Sequence, residues 1–181
     1  MAGTWWRRWR TLLDLWRAPE KSVPTSARRT PTTAASAPSV VRHRTGPDFQ
    51  GTVRPVYAPD LDGAPDPGEI VWTWVPFEED PSQGKDRPAL LVGRDGPWLL
   101  GLMLTSKDHV PAGEPGGRRA DRHGQVWLDL GTGPWDARRR PSEVRLDRVL
   151  RIDPAAVRRE GPVLPRATFD LVTRAMAGRP A

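Results

Sequence analysis

The stretch DRPALLVGRDGPWLLGLMLT (residues 86–105) decides the fold. Ala89 to Gly93 is a short apolar run, and Trp98 to Thr105 is a second. Arg94-Asp95-Gly96-Pro97 between them has turn chemistry, so the segment predicts a β-hairpin. Arg87-Pro88 stands at the start of the first strand, and Leu104-Thr105-Ser106 at the end of the second. A fixed cation and a hydroxyl pair therefore fall at strand ends. Arginine offers a rigid fork of donors that suits a phosphate, and a Thr or Ser hydroxyl adds a neutral hydrogen bond. The chain has no cysteine, and His43, His109 and His123 are scattered without metal-ligand spacing. It also lacks a Gly-rich phosphate loop. That pattern points away from redox, zinc and nucleotide chemistry, calls for no cofactor, and favours capture or cleavage of a phosphodiester.

Outward from the hairpin, Gly68 to Phe77 alternates, with Ile70, Trp72 and Trp74 on one face and Val71, Thr73 and Val75 on the other. This is a strand buried in part on both faces. Pro76 stops it, and Glu78 to Asp86 reads as a polar loop. Beyond the hairpin, Lys107 to Arg122 is a long loop, Gln125 to Leu130 a fourth strand and Glu143 to Ile152 a fifth. Asp153 can cap a short helix with Pro154 at its first position and Gly161 as its stop. Pro165 opens a last helix whose Phe169, Val172 and Met176 form a core stripe. Five short strands in series and one closing helix predict a mainly β (α+β) domain, a small, strongly bent antiparallel barrel over residues 67–181.

The N-terminal part is different. Residues 1–60 hold ten Lys and Arg against four Asp and Glu, while residues 61–181 hold 18 of each, so the net charge of +6 belongs to the extension. In residues 4–17, Trp5, Trp6, Trp9, Leu12, Leu13 and Trp16 recur at helical spacing opposite Arg7, Arg8, Arg10, Asp14 and Arg17. This predicts an amphipathic helix over 1–18, for a membrane surface or for packing on the domain or a partner. Residues 19–66, rich in Pro, Ser, Thr and Arg, read as a disordered linker. No run of 18 apolar residues spans a membrane, and no signal-peptide core is present. A cytoplasmic protein, peripheral to the membrane if the helix binds lipid, is the expectation.

Residues 68–176 resemble the MazF/PemK family of toxin endoribonucleases. The matching blocks are Gly-Glu-Ile-Val-Trp (68–72), Asp-Arg-Pro-Ala-Leu-Leu-Val (86–92), Leu-Thr-Ser (104–106) and Glu-Val-Arg-Leu-Asp-Arg-Val-Leu-Arg-Ile-Asp (143–153), with Gly161 and the final helix completing the order. The resemblance implies an SH3-like barrel, a homodimer, metal-independent cleavage of single-stranded RNA and a partner antitoxin that blocks the RNA groove. It places catalysis on Arg87 and Thr105, which fall on the family's Arg-Pro arginine and strand-end threonine. Many members carry a Glu five positions before that arginine; this chain has Ser82 there. A barrel that binds RNA or a protein without cutting is the alternative expectation.

Around the pair, Ser106 and Lys85 are candidate substrate contacts. Arg118 and Arg119, with Arg122 and Arg138 to Arg140, can track an RNA backbone or simply be solvated. Trp98 and Trp127 fall within strand patterns and read as core, whereas Trp135, in a Gly-Pro-Trp-Asp loop, is the candidate for stacking on a base. The spacing leaves the general acid or base open among His109, Glu79 and Asp86. Arg145 and Arg148 are expected to pair with Asp147, Asp153 or a dimer mate.

Overall fold

Pro76 and the turn after it reverse the chain from β1 (Glu69–Pro76) into β2 (Gly84–Asp95), and the predicted hairpin leads on to β3 (Trp98–Thr105). The computed structural model describes residues 46–107 and 116–177. The predicted N-terminal helix, residues 19–45 of the predicted linker and His109 lie outside the described residues. Gly96, at φ 57°, makes the hairpin turn with no Cβ penalty. Five further strands follow: β4 (Arg118–Ala120), β5 (Val126–Gly131), β6 (Ser142–Arg145), β7 (Leu150–Ile152) and β8 (Arg159–Val163). Helix α1 (Arg166–Ala177) closes the described chain.

The result is a mainly antiparallel sheet of eight strands with one C-terminal helix. Its order is β4-β5-β6-β3-β2-β1-β8, with β7 paired to β3 off that path. Strand β3 is the hub, since its first half (Leu99–Gly101) pairs β7 and its last two residues pair β6. No pairing among the described residues joins β4 to β8.

The sequence expectation of five strands is corrected to eight. The predicted fifth strand is broken in two because Asp147 leaves the ladder to accept a hydrogen bond from Val126 N at 2.7 Å and an ion pair from Arg145 at 2.8 Å. A carboxylate that bonds local backbone competes with strand geometry. β4 falls inside the predicted 107–122 loop. β8 runs through the Gly161 expected to stop a helix, and at that glycine a Cβ would collide with the Ile70 carbonyl oxygen. Only glycine allows so close an approach of β8 to β1, and the pairing is bulged there. β2 begins at Gly84, so Lys85, Asp86 and Arg87 stand in a strand rather than in or beside a loop.

Other expectations hold. Asp153 caps the short 3-10 turn Pro154–Ala156, accepting from Ala155 N at 3.0 Å. Phe169, Val172 and Met176 are the buried stripe of α1. They pack with Ile70, Leu90, Leu100, Leu102, Leu104, Val144 and Leu164 on one face of the sheet. The other face carries Val71, Val75, Ala89, Leu91, Leu99, Met103, Trp127, Leu150 and Ile152. Side chains alternate between faces along a strand, which is how Leu90 and Leu91 serve different layers.

Residues 46–66, assigned to the linker by composition, lie along the sheet. Phe49 bridges Val149, Val56 N donates to Val92 O at 2.9 Å, and Tyr57 Oη donates to Leu164 O at 2.9 Å. The Tyr57 ring meets Phe169 edge-on, centroids 5.0 Å apart. Arg148 donates to Asp48 at 2.7 Å and to Pro76 O at 2.9 Å, which ties this lead-in to the end of β1.

Candidate functional site

Strand register builds the site. Thr73 pairs Arg87 across β1 and β2. Thr105 pairs Glu143 across β3 and β6, and Glu143 pairs Asp129 across β6 and β5. The β2–β3 ladder ends at Ala89 opposite Met103. Arg87 and Thr105 each stand two residues beyond that last pair, on the same face as Ala89 and Met103. Directly opposed residues share a face, so Thr73 with Arg87, and Thr105 with Glu143 and Asp129, make up a polar row on one face that is interrupted where β2 and β3 stop pairing. It borders the Met103–Trp127 apolar layer. Pro88 removes one backbone donor beside the point where β2 and β3 stop pairing, so their ends near Arg87 and Thr105 are not zipped together.

The row is unusual in its burial. Thr73 is 1% exposed, Thr105 4% and Glu143 7%, while Arg87 and Asp129 are half-buried. Sheets seldom bury polar and charged side chains beside an apolar layer unless they are paired or used. Arg87 has no ion pair or hydrogen bond to any described residue. The buried or half-buried arginines elsewhere do: Arg145 binds Glu78 and Asp147, Arg148 binds Asp48, and Arg151 binds Asp95. A half-buried guanidinium without a carboxylate is a ready anion acceptor. Thr105 Oγ1 accepts from Lys107 N at 3.2 Å, which leaves its hydroxyl proton to donate.

The remaining sequence candidates divide by face. Lys85 is two residues from Arg87 on the same face, its Nζ 5.7 Å from the Phe77 ring centroid. Ser106 follows β3 in the bend and is half-buried. Arg119 pairs Trp127 and so shares the row's face one rung inward, while Arg118 pairs Leu128 on the opposite face. Asp86 also faces away from the row, beside Trp74, and is ion-paired with Arg158 at 2.8 Å. Its adjacency to Arg87 in sequence therefore does not make it a neighbour in the site. Glu79 is exposed in the turn after β1. In that turn Ser82 donates its hydroxyl to Asp80 at 2.6 Å. That bond, with those from the Gln83 amide and Ser82 N, holds the Asp80 carboxyl below its usual range.

Trp135 is corrected from a stacking platform to a core residue. It is 8% exposed and packs in the layer beneath α1. Its ring lies against Gly133, where any side chain would collide with the indole. The Gly-Pro-Trp turn folds inward rather than out.

Beside the row, Arg145 on β6 fixes the start of the β1–β2 turn. It is buried, lies over the Trp127 ring, and binds Glu78 and Asp147. Burial disfavours its charge, but the Asp147 and Glu78 carboxylates outweigh that and raise its pKa. Of the row, Thr73, Asp129 and Glu143 were not singled out by sequence. Strand alternation does put Glu143 and Arg145 on the face opposite Val144, but only the register shows that Glu143 faces Thr105.

The sheet thus carries on one face an arginine without a carboxylate among the described residues and a strand-end threonine. Residues 66–178 match the family of PemK-like, MazF-like toxins of type II toxin–antitoxin systems. The match spans more than half the chain, and the chain belongs to this family. The family implies an antitoxin as partner. A search of curated proteins finds no match to the chain. Among the described residues no helix is long and apolar enough to cross a membrane.

Proposed function

We propose that the chain is an endoribonuclease toxin that cuts single-stranded RNA without a metal ion. The 2′-OH next to the scissile bond attacks phosphorus, leaving a 2′,3′-cyclic phosphate and a 5′-OH end. The observation that carries this reading is the half-buried Arg87, without a partner among the described residues, on the same face of the sheet as Thr105. Arg87 clamps the phosphate and offsets charge on its oxygens as the transition state forms; Thr105 donates to a non-bridging oxygen. Lys85 and Arg119, on the same face, extend the cationic path for the strand. DNA, which lacks the 2′-OH, is not cut. The rest of the reading follows the family: the sheet closes as an SH3-like barrel, two copies form a homodimer, and a cognate antitoxin covers the RNA face.

The test is incubation of the purified full chain with a long RNA in EDTA and mapping of the new ends. Cuts with 5′-OH termini support the mechanism. RNA left intact across many sequences would point to the alternative, a barrel that binds RNA or protein without cutting. One observation favours that alternative: Ser82 stands five positions before Arg87, where the resemblance leads one to expect Glu in many members, and its hydroxyl is committed to Asp80.

A further inference from the structure

Arg148 is 8% exposed, and its guanidinium serves two segments at once. Its Nε and Nη2 donate to the two carboxylate oxygens of Asp48 in the lead-in, at 2.7 and 3.3 Å. Its Nη1 donates to Pro76 O at 2.9 Å, where the chain leaves β1 for the turn into β2. The same Nη1 stands 3.9 Å from Glu78 Oε1, an oxygen that Arg145 Nη1 holds. We infer that Arg148 is a positioning residue for the β1–β2 turn and that Asp48 keeps it in that role; the consequence for RNA rests on the nuclease reading above. A carboxylate that grips two nitrogens fixes the plane of the guanidinium, so the third is aimed at Pro76 O. Without that carboxylate a buried charge is left uncompensated, which is costly. Glu78 is the next carboxylate within reach. Arg148 then competes with Arg145 for it and draws the turn out of place. Asp48, Glu78, Arg145 and Arg148 line one cavity of about 160 Å³, which gives the side chains room for this exchange.

The turn matters because the row-facing part of β2 begins at its end. Phe77 N donates to Gln83 O at 2.9 Å and closes the turn, and the Lys85 Nζ lies 5.7 Å from the Phe77 ring centroid. Lys85 pairs Val75 and Arg87 pairs Thr73, so a turn that shifts displaces the cations of β2 nearest to it. The lead-in end of this clasp is fixed by its own contacts. Phe49 N donates to Val149 O at 2.8 Å, Arg151 donates to Pro47 O at 3.2 Å, and the Arg151 guanidinium lies 5.1 Å from the Phe49 ring centroid. Asp48 is thus delivered to Arg148 by the residues on either side of it. Asp48 lies ahead of residues 66–178, the span that matches the family. In this chain a segment outside the family match therefore governs the shape of the proposed RNA face.

The experiment follows backbone hydrogen exchange at Phe77 and Gln83 in the full chain, wild type against Asp48→Asn, with the buried strand β3 as reference. Asp48→Asn keeps the size of the side chain and removes its charge. The expected result is exchange about tenfold faster or more at both amides with β3 unchanged. Binding of an RNA with a 2′-deoxy sugar at the cut site should weaken by at least about threefold, because fewer molecules hold the competent shape. Single-turnover cleavage at saturating RNA should stay within about threefold, since Arg87 and Thr105 are untouched. The route is tested in a Glu78→Gln background. With no charge there for Arg148 to capture, Asp48→Asn should add little, and an equal effect in both backgrounds overturns the inference. Wild-type exchange in Asp48→Asn overturns it as well. Faster exchange with RNA bound as tightly as by wild type ends the clasp's part in RNA binding. Wild type that neither binds nor cuts RNA overturns the nuclease reading and leaves the clasp to be judged by exchange alone. Where Asp48→Asn lacks a cooperative melt, Arg148→Met decides, since it leaves no buried charge behind. Faster exchange at Phe77 and Gln83 with β3 unchanged then supports the role, and wild-type exchange removes it.

Discussion

Arg87 has no partner among the described residues, so its removal takes nothing from them that a carboxylate or carbonyl was using. Arg87→Ala is expected to lower RNA cleavage by about 10²–10³-fold, the usual effect of losing one electrostatic contact to a developing oxyanion, while its melting temperature stays close to wild type. Cleavage at the wild-type rate, or a collapsed melt, would remove Arg87 from the site. Arg87→Lys is expected to recover little, because an ammonium cannot reproduce the planar fork. The Arg145 cluster behaves in the opposite way, since its charges neutralise each other. Burial pushes the Asp147 carboxyl up, but hydrogen bonds from Arg145 and Val126 N outweigh it and hold the group below its ordinary value. A depressed carboxyl adds stability above the unfolded value of about 3.9, and that stability is lost as pH falls through the folded value. Asp147→Asn should therefore cost roughly 1–2 kcal/mol at pH 7, discounted for the partial exposure of the carboxylate. In urea titrations the gap from wild type should shrink toward pH 3. A gap of undiminished size at pH 3 would mean that the charge of Asp147 is not what stabilises.

At the scale of strands, the hairpin, the first strand, the Asp153 cap and the last helix were legible because each is marked by local chemistry: a Gly-Pro turn, strict alternation, a capping acid before Pro154, a three-residue stripe. β8 was not, because Arg-Glu-Gly-Pro-Val has no alternation, and Gly161 and Pro162 read as breakers until β1 is placed beside them. The break between β6 and β7 depends on what Asp147 touches, which the sequence does not show. The site was legible in the same uneven way. Arg87 and Thr105 carry local motifs, but Thr73 opposite Arg87, and Glu143 and Asp129 in line with Thr105, are placed only by strand register. Trp135 misled because its packing against Gly133 is a tertiary fact. Two tests follow from the elements. Gly161→Ala should destabilise by about 1–3 kcal/mol, as an inserted methyl meeting an unyielding backbone does, and its urea midpoint should fall with the slope unchanged; a neutral effect would mean that β8 does not approach β1 as closely as Ile70 requires. Tyr57→Ala should cost about 2 kcal/mol through the ring's contact with Phe169 and the bond to Leu164 O. A midpoint equal to wild type would mean that residues 46–66 do not contribute to the fold.

Across the whole chain, charge and site are separated in sequence. Residues 1–45 hold nine Lys and Arg against two Asp and Glu, and residues 46–181 hold 19 against 20. The folded part is therefore close to neutral, so the anion site proposed at Arg87 acts locally rather than through the overall field. Binding through bulk charge must come from the extension. Each phosphate neutralised on a single strand contributes about −0.7 to the slope of log affinity against log salt. Removal of residues 1–45 should thus flatten that slope by several units and weaken RNA binding at low salt. The retained Phe49, Tyr57 and Asp48 contacts keep the sheet supported, so single-turnover cleavage of saturating RNA should stay within about threefold of the full chain, since the positioning groups are untouched. Filter binding at stepped salt concentrations, read beside cleavage under saturation, separates the two effects. An unchanged salt slope would mean that the basic extension does not touch RNA. That would leave it free for an anionic surface of another kind, which vesicles of anionic lipid would then reveal by co-sedimenting with the full chain and not with the shortened one.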